Sequence, residues 1–368
     1  MRRTGMMLLL LTTTVSVSSA LTNDMALVTA NLGRHTYATN GEVGLWPRLT
    51  VSPSRKTLLA GDYLTFSASG STNPITWFFI DNFSGATKSV TDTNSIVYQA
   101  GPMPGVIDIV EAWDGENRFA RSYVNVISDT DTIAAGKAVI IAGTKGPDDP
   151  LWPNTDYLAN SAYNTLQYKA FSRGNIHYLS PQPGRDVDDN GLDDDIDLAS
   201  TYANCEFTFT SQLEGVSNLF VYLVDHGSRS GTNGFFRLDA GEELPGADLD
   251  RWLDDLQDTY HTKVTVLIDC CYAGTILHQL DYTGTASRVV LASAGTNQPA
   301  YFAAGGLVSF SDAFFNGVLL GYDVAECYDA AAQAMSIYQG PEYGDNGNGS
   351  LADDLFIGAT FVARRDIP

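Results

Sequence analysis

Cysteine is scarce in this chain of 368 residues: only Cys205, Cys270, Cys271 and Cys327 occur. Four are too few to staple a chain this long, which excludes a disulfide scaffold. A bridge between the adjacent Cys270 and Cys271 would be strained. Basic side chains are also in short supply, 21 Lys and Arg against 43 Asp and Glu, leaving a formal net charge of −22. Such a surface repels polyanions, which argues against nucleic acid and anionic lipid as partners. Beyond the N-terminus no apolar run approaches the ~20 residues that a spanning helix needs, so an integral membrane protein is not expected. No G-x-S-x-G elbow occurs, which removes a serine hydrolase of that type. What remains, with 44% hydrophobic and 17% charged residues, is a globular chain. Its length fits two domains at roughly 150 residues each.

Composition along the chain divides it. Residues 1–20 open with Arg2 and Arg3, continue through a short apolar run over 6–11 and reach Ser18-Ser19-Ala20. This is the layout of a secretory signal peptide cleaved after Ala20, and it predicts a secreted, periplasmic or cell-surface protein. Residues 21–46 show no sustained period and read as a lead-in. From 47 to 128 the pattern is short alternating runs, such as Tyr63-Leu64-Thr65-Phe66-Ser67, punctuated by turns such as Ala60-Gly61-Asp62. Strands at this spacing predict an all-β sandwich, closed by a hairpin around Asp114-Gly115. Residues 129–136 form a polar linker. From 137 to 368 strands alternate with helices, the latter expected over 155–171, 199–213, 247–256, 310–320 and 325–338. The fold class is therefore multidomain: a sandwich followed by an α/β domain with a mainly parallel sheet flanked by helices.

Two apolar runs of this second domain end on reactive residues. Residues 219–224 lead into Asp225-His226-Gly227, and residues 264–268 into Asp269-Cys270-Cys271-Tyr272-Ala273-Gly274. Both read as parallel strands covered on both faces, and the carboxyl ends of such strands open on a crevice. Neighbouring strands would set His226 and Cys271 on one rim, a base beside a nucleophile. An imidazole favours the thiolate and can then protonate a departing amine. Backbone amides of Gly227 and Cys271, both at turns, would hold the oxyanion. By strand alternation Cys270 points away from Cys271. Asp269, two residues before the nucleophile, would shape a specificity pocket. A polar loop beginning at Ser293 follows the next expected strand, 289–292, and is a candidate wall of the same crevice.

These motifs, together with Gly234-Phe235, Leu238, Gly241-Glu242, Leu244 and Asp248-Leu249, resemble the legumain family of caspase-like cysteine peptidases. Ala138-Val139-Ile140-Ile141-Ala142-Gly143 is similar to that family's first strand, and the likeness extends over residues 137–335. It implies a caspase-like fold, a dyad on His226 and Cys271, a protein or peptide substrate, and hydrolysis through a thioester with transpeptidation as a side activity. It implies no metal or other cofactor in catalysis. The chain departs from the family where Cys270 replaces the usual residue before the nucleophile. A second departure is Asn154-Thr155-Asp156-Tyr157, which stands where Asn-cleaving members carry a basic pair. Asp156 and Asp269 together would then favour a basic P1 side chain through paired hydrogen bonds. Residues 47–128 resemble bacterial Ig-like and PKD-like modules. A surface binding or adhesion protein with a catalytically inactive caspase-like domain is the alternative; the presence of both dyad residues favours the enzyme.

One further motif stands apart. Residues 186–197 match the D-x-D-x-N-G calcium-loop template, with oxygens expected from Asp186, Asp188, Asn190 and Asp194, the turn at Gly191, and Asp197 at position twelve. A structural Ca²⁺ is expected there, because clustered carboxylates without a cation would repel. Residues 343–354 are a looser relative and read as a flexible turn.

Overall fold

The computed structural model describes residues 49–115, 118–128, 135–188, 192–345 and 357–358. The expected signal peptide and lead-in lie outside the described residues, as do most of the linker, Asn190 and Gly191 of the acidic loop, and residues 346–354.

The first eight strands are β1 (Thr50–Ser52), β2 (Arg55–Leu59), β3 (Tyr63–Ser69), β4 (Thr76–Asp81), β5 (Thr87–Val90), β6 (Ser95–Gln99), β7 (Val106–Trp113) and β8 (Phe119–Ile127). They form two four-stranded sheets, ordered β1-β3-β6-β5 and β2-β8-β7-β4. Alternate residues face one apolar cluster that includes Phe66, Trp77, Ile96, Tyr98, Val110 and Val124, as period-two patterning requires. Inside it, the buried Asp108 carboxylate accepts from the Tyr98 hydroxyl at 2.6 Å and the Ser84 amide at 2.9 Å, so this polar group is satisfied.

The second unit runs β9 (Lys137–Ala142), α1 (Trp152–Tyr168), β10 (Ile176–Leu179), α2 (Tyr202–Phe207), β11 (Asn218–Val224), β12 (Gly227–Ser230), β13 (Asn233–Arg237), β14 (Glu243–Pro245), α3 (Gly246–Tyr260), β15 (Lys263–Asp269), α4 (Ala273–Leu277), β16 (Arg288–Ala292), α5 (Phe310–Leu320), α6 (Val324–Met335) and β17 (Glu342–Asp345). Its six-stranded sheet has the order β10-β9-β11-β15-β16-β17. The first five strands are parallel and β17 closes the edge antiparallel. Tyr343, Gly344 and Asp345, expected in a turn, are therefore strand residues.

Both faces of the sheet are covered, which is why its strands are apolar without alternation. Ala138, Ile140, Phe220, Tyr222 and Leu267 pack against Leu158, Ala162 and Leu166 of α1 and Phe314 and Phe315 of α5. Val139, Ile141, Val221, Leu223, Val266 and Ile268 pack against Phe209 and against Leu249, Trp252 and Leu253 of α3. Each such aliphatic or aromatic side chain contributes about 1.5–3 kcal/mol when fully buried.

Several helices differ from expectation at their ends, two of them for a local reason. α1 begins three residues earlier than the apolar spacing indicates, because Pro153 stands in its first turn, where a missing N–H costs nothing. The helix expected over 199–213 is α-helical only to Phe207 and then widens over Thr208–Gln212. There the Thr208 and Thr210 hydroxyls donate to the carbonyls four residues back, at 2.8 and 2.7 Å, a bond that bends helices.

Candidate active site

The register of the two central strands sets which residues stand opposite each other at their ends. Val224 of β11 lies opposite Asp269 of β15, and the Asp225 amide donates to the Asp269 carbonyl at 3.3 Å. His226 and Cys271 thus leave the sheet level with each other at its carboxyl edge. Gly227 makes the approach possible: a Cβ there would sit 2.1 Å from the Cys271 carbonyl oxygen and 2.6 Å from Cys270 Sγ. No other residue type fits without displacing backbone.

After Gly227 the chain turns into a small sheet, β12-β13-β14, that roofs one side of the crevice. The Arg237 amide donates to the His226 carbonyl at 2.9 Å, and Gly227 stands opposite Phe236. Since bonded and non-bonded pairs alternate in an antiparallel ladder, the Gly227 N–H belongs to a non-bonded pair and points away from β13. This leaves it free to serve an oxyanion.

His226 is held from the opposite side. Its Nε2 lies 3.2 Å from the Asp149 carboxylate and 3.8 Å from Asp225 Oδ1. Asp149 sits in the loop after β9, with its side chain fully buried. Burial raises its pKa, but amide hydrogen bonds from Lys145 at 2.6 Å and Leu151 at 2.9 Å, with the imidazole, outweigh that and bring it below the ordinary carboxylate value. Asp149 is therefore a fixed anion aimed at Nε2, which leaves Nδ1 for another partner. The sequence signal for Asp149 was its place in a polar loop following a buried strand, the setting that singled out His226 and Cys271.

The neighbouring cysteines separate by alternation. Cys270 is fully buried in the apolar layer beneath α3 and α4, and burial pushes its thiol well above the ordinary value. Cys271 is partly exposed. It precedes Tyr272, which holds a left-handed conformation (φ +60°) at the start of α4, so the nucleophile stands on a sharp strand-to-helix turn. Tyr272 is itself tied by its amide to the Gln298 carbonyl at 2.8 Å and carries Arg229 over its ring, 5.4 Å from the centroid. All four cysteines are free, and Cys205 and Cys327 are buried in the cores.

Below the dyad, on the α1/α5 side, the crevice floor is acidic. Asp269 is fully buried; one oxygen accepts from the Ser311 amide at 3.0 Å and from the Ser311 hydroxyl at the start of α5. Asp225 accepts from the Thr155 hydroxyl of α1 at 2.7 Å, and Asp312 from Tyr157 at 3.2 Å and Asn316 at 3.1 Å. Burial raises the pKa of all three, that of Asp312 to about 6. Ser293 is fully buried at the same edge, and its amide donates to the Ile268 carbonyl at 2.9 Å. Asp156 is not part of this floor. It forms a two-pronged pair with Arg185 at 2.6 and 3.2 Å, so the expected partnership of Asp156 with Asp269 is replaced by Asp225, Asp269 and Asp312.

The acidic loop also differs from its template. Asp186, Asp188 and Asp195 bring carboxylate oxygens within 4.8 Å of one another. Asp195 was not among the expected ligands, and it already accepts from the Val187 and Asp188 amides at 2.7 and 3.0 Å and from Tyr163. Asp197 instead accepts from Arg173 at 2.8 Å and the Tyr178 amide at 2.9 Å, and the Asp194 carbonyl also accepts from Arg173. Lys56 of β2 pairs with Asp188 at 2.6 Å. Two basic side chains thus supply countercharge that the sequence pattern does not reveal.

Among the described residues, no helix is long and apolar enough to cross a membrane. No protein-family model matches the chain, and no curated protein does. Among solved structures, the chain is similar to the Drosophila initiator caspase Dronc, at 10% identity over 60% of this chain and 82% of that one, with a TM-score of 0.41. It is similar to caspase-1 from Spodoptera frugiperda at 11% identity over 60% and 89%, TM-score 0.42. It is also similar to domains 4 and 5 of the S-layer protein SbsC at 15% identity over 22% and 44%, TM-score 0.19.

Proposed function

We propose that this chain is an exported, legumain-like cysteine endopeptidase with a caspase-like fold. One observation carries the reading: β11 and β15 end in register, and Gly227 brings the two strand ends into contact so that His226 and Cys271 share one rim. In the proposed reaction the Cys271 thiolate adds to the scissile carbonyl. The Gly227 and Cys271 amides stabilise the oxyanion, and the imidazolium passes its proton to the leaving amine as the thioester forms. Water then enters, His226 takes its proton, the thioester C–S bond breaks and the acid product leaves. Asp149 positions the ring and stabilises its charged form.

The decisive experiment is labelling with a thiol-directed acyloxymethyl-ketone peptide probe. Wild type and Cys270→Ala are expected to label and Cys271→Ala to stay blank. Labelling that survives the loss of Cys271 overturns the assignment.

Two subsidiary proposals accompany this one. The strands of residues 50–127 act as an Ig-like module for attachment or substrate docking, behind a signal peptide removed after Ala20; N-terminal sequencing of exported protein is expected to start at Leu21. A structural Ca²⁺ is held by Asp186, Asp188 and Asp195, displacing the Lys56 ammonium. Asp188 Oδ1, buried and without a partner, is the oxygen left for it. Calorimetric titration with Ca²⁺ that gives no heat above buffer removes this proposal.

A further inference from the structure

The crevice floor holds buried polar atoms whose hydrogen bonding within the protein is incomplete. Asp269 Oδ1, Asp225 Oδ1, Ser293 Oγ and Tyr222 Oη are all buried outside full hydrogen-bond geometry, with Ser293, His226, Asp269 and Ser311 respectively close by. They belong to one neighbourhood. Asp225 and Asp269 are joined through their backbones, Asp269 is anchored on Ser311 beside Asp312, and Tyr222 shares the α1/α5 face of the sheet with them. Ser293 faces Asp269 and helps to stabilise its carboxylate. Among the described residues no lysine or arginine pairs with Asp225, Asp269 or Asp312, and the only basic side chain near one of them is His226, 3.8 Å from Asp225; other acidic residues are paired, Asp156 with Arg185 and Asp250 and Asp254 with Arg288.

An unpartnered buried acceptor costs about 1–3 kcal/mol, and more when charged. Two such carboxylate oxygens with two hydroxyls, beside a nucleophile, describe a place prepared for a donor that arrives with the substrate. The missing group must be cationic, to offset carboxylates that burial disfavours. It must carry several N–H donors to reach oxygens at the carboxyl ends of β11, β15 and β16. Asp312 and Tyr157 are partly exposed whereas Asp269 and Ser293 are fully buried, so a group that reaches all of them must be long and thin. Arg and Lys side chains meet these conditions, and the planar fork of Arg meets them best.

We propose that this acidic floor is the P1 pocket and selects peptides with Arg or Lys at the cleavage position, with Asp269 at its base and Asp312 at its mouth. The proposal rests on the peptidase reading for its location, and its test separates the two. Wild-type protein is assayed on a library varied at P1. In parallel, agmatine binding to the full-length Cys271→Ala protein is measured by calorimetry, alone and with Asp269→Asn or Asp312→Asn added.

The expected result is cleavage after Arg and Lys at least ~10-fold above Asn, Asp or uncharged P1. Agmatine binding is expected to weaken ~10-fold or more with Asp312→Asn and ~100-fold with Asp269→Asn. Asp312→Asn is the safeguard should Asp269→Asn not fold. Preferred cleavage after Asn, Asp or an uncharged residue overturns the pocket and leaves the peptidase standing. Agmatine binding that both variants leave unchanged, or no binding at all, also overturns the pocket. Agmatine binding lost in the variants, with no library peptide cleaved, upholds the pocket and overturns the peptidase.

Discussion

The two faces of the central sheet are equally apolar through its middle and part company only at its carboxyl edge. On the α3/α4 face the first side chain after β15 is Cys270, sunk among Ile268, Ala273 and Ile276. On the α1/α5 face the corresponding residue is Asp269, bonded to the start of α5. The same strand thus closes one core with a thiol and opens the other toward three carboxylates. The nucleophile follows on the turn between them. Chemistry therefore does not need a special strand, only a sheet whose apolar run stops one residue earlier on one face than on the other.

The sharpest way to break that comparison is to exchange the roles of the two cysteines. Cys271→Ala is expected to reduce peptide hydrolysis by ~10⁴-fold or more, to the uncatalysed background. Cys270→Ala is expected to keep activity within about two-fold and to cost about 1 kcal/mol of stability from the small cavity it leaves. Equal losses from both would show that the faces are not distinct. Gly227→Ala comes next. Its Cβ would meet the Cys271 carbonyl at 2.1 Å, so the strand ends must separate. A loss of ~10²-fold or more in kcat/KM is expected with the far-ultraviolet circular dichroism preserved, because a misplacement of about 1 Å costs that much. An active Gly227→Ala enzyme would sink the proposed contact.

Much of this edge was legible in the sequence, for a physical reason. Strand alternation distinguishes Cys271 from Cys270 without coordinates, and a parallel sheet delivers residues that follow its strands to a common rim. What the sequence hid depends on contacts between distant segments. Asp156 and Asp225 are equally acidic on paper. One meets Arg185, 29 positions away, and the other Thr155, 70 positions away. The acidic loop hid its neutralisation for the same reason: Lys56 comes from a strand 132 positions from Asp188. The widened turn after Phe207 was hidden differently, since hydroxyls that bond back along a helix leave its apolar spacing unchanged.

Asp149 tests whether the edge is also asymmetric in charge. Asp149→Asn keeps the size of the side chain and an oxygen for one of the Lys145 and Leu151 amides, which bond to different carboxylate oxygens, but removes the anion beside His226. Attraction between carboxylate and imidazolium is reciprocal, so the alkaline limb of the kcat/KM profile is expected to move to lower pH. The maximum is expected to fall ~10–100-fold, part of what general acid–base catalysis supplies. A purely structural Asp149 would lower the maximum and leave the limb in place, and that result would remove its role as a positioning residue.

The smallest expected effect falls on stability and isolates the acidic face. Burial raises the Asp312 pKa to about 6, above the ordinary unfolded value of about 3.9. Between those values the folded protein holds a proton that the unfolded chain has released, so folding takes up a proton and stability falls as pH rises across that window. Asp225 and Asp269, raised in the same direction, add to the slope. Asn at position 312 cannot titrate. Urea unfolding of Asp312→Asn between pH 4 and 6 is expected to show a shallower decline than wild type, with the two curves parallel above pH 7. Parallel curves throughout would mean that Asp312 ionises as freely in the folded protein as in water. The floor of the crevice would then be solvated, and the two faces of the sheet would differ in composition without differing in the electrostatic cost of their edge.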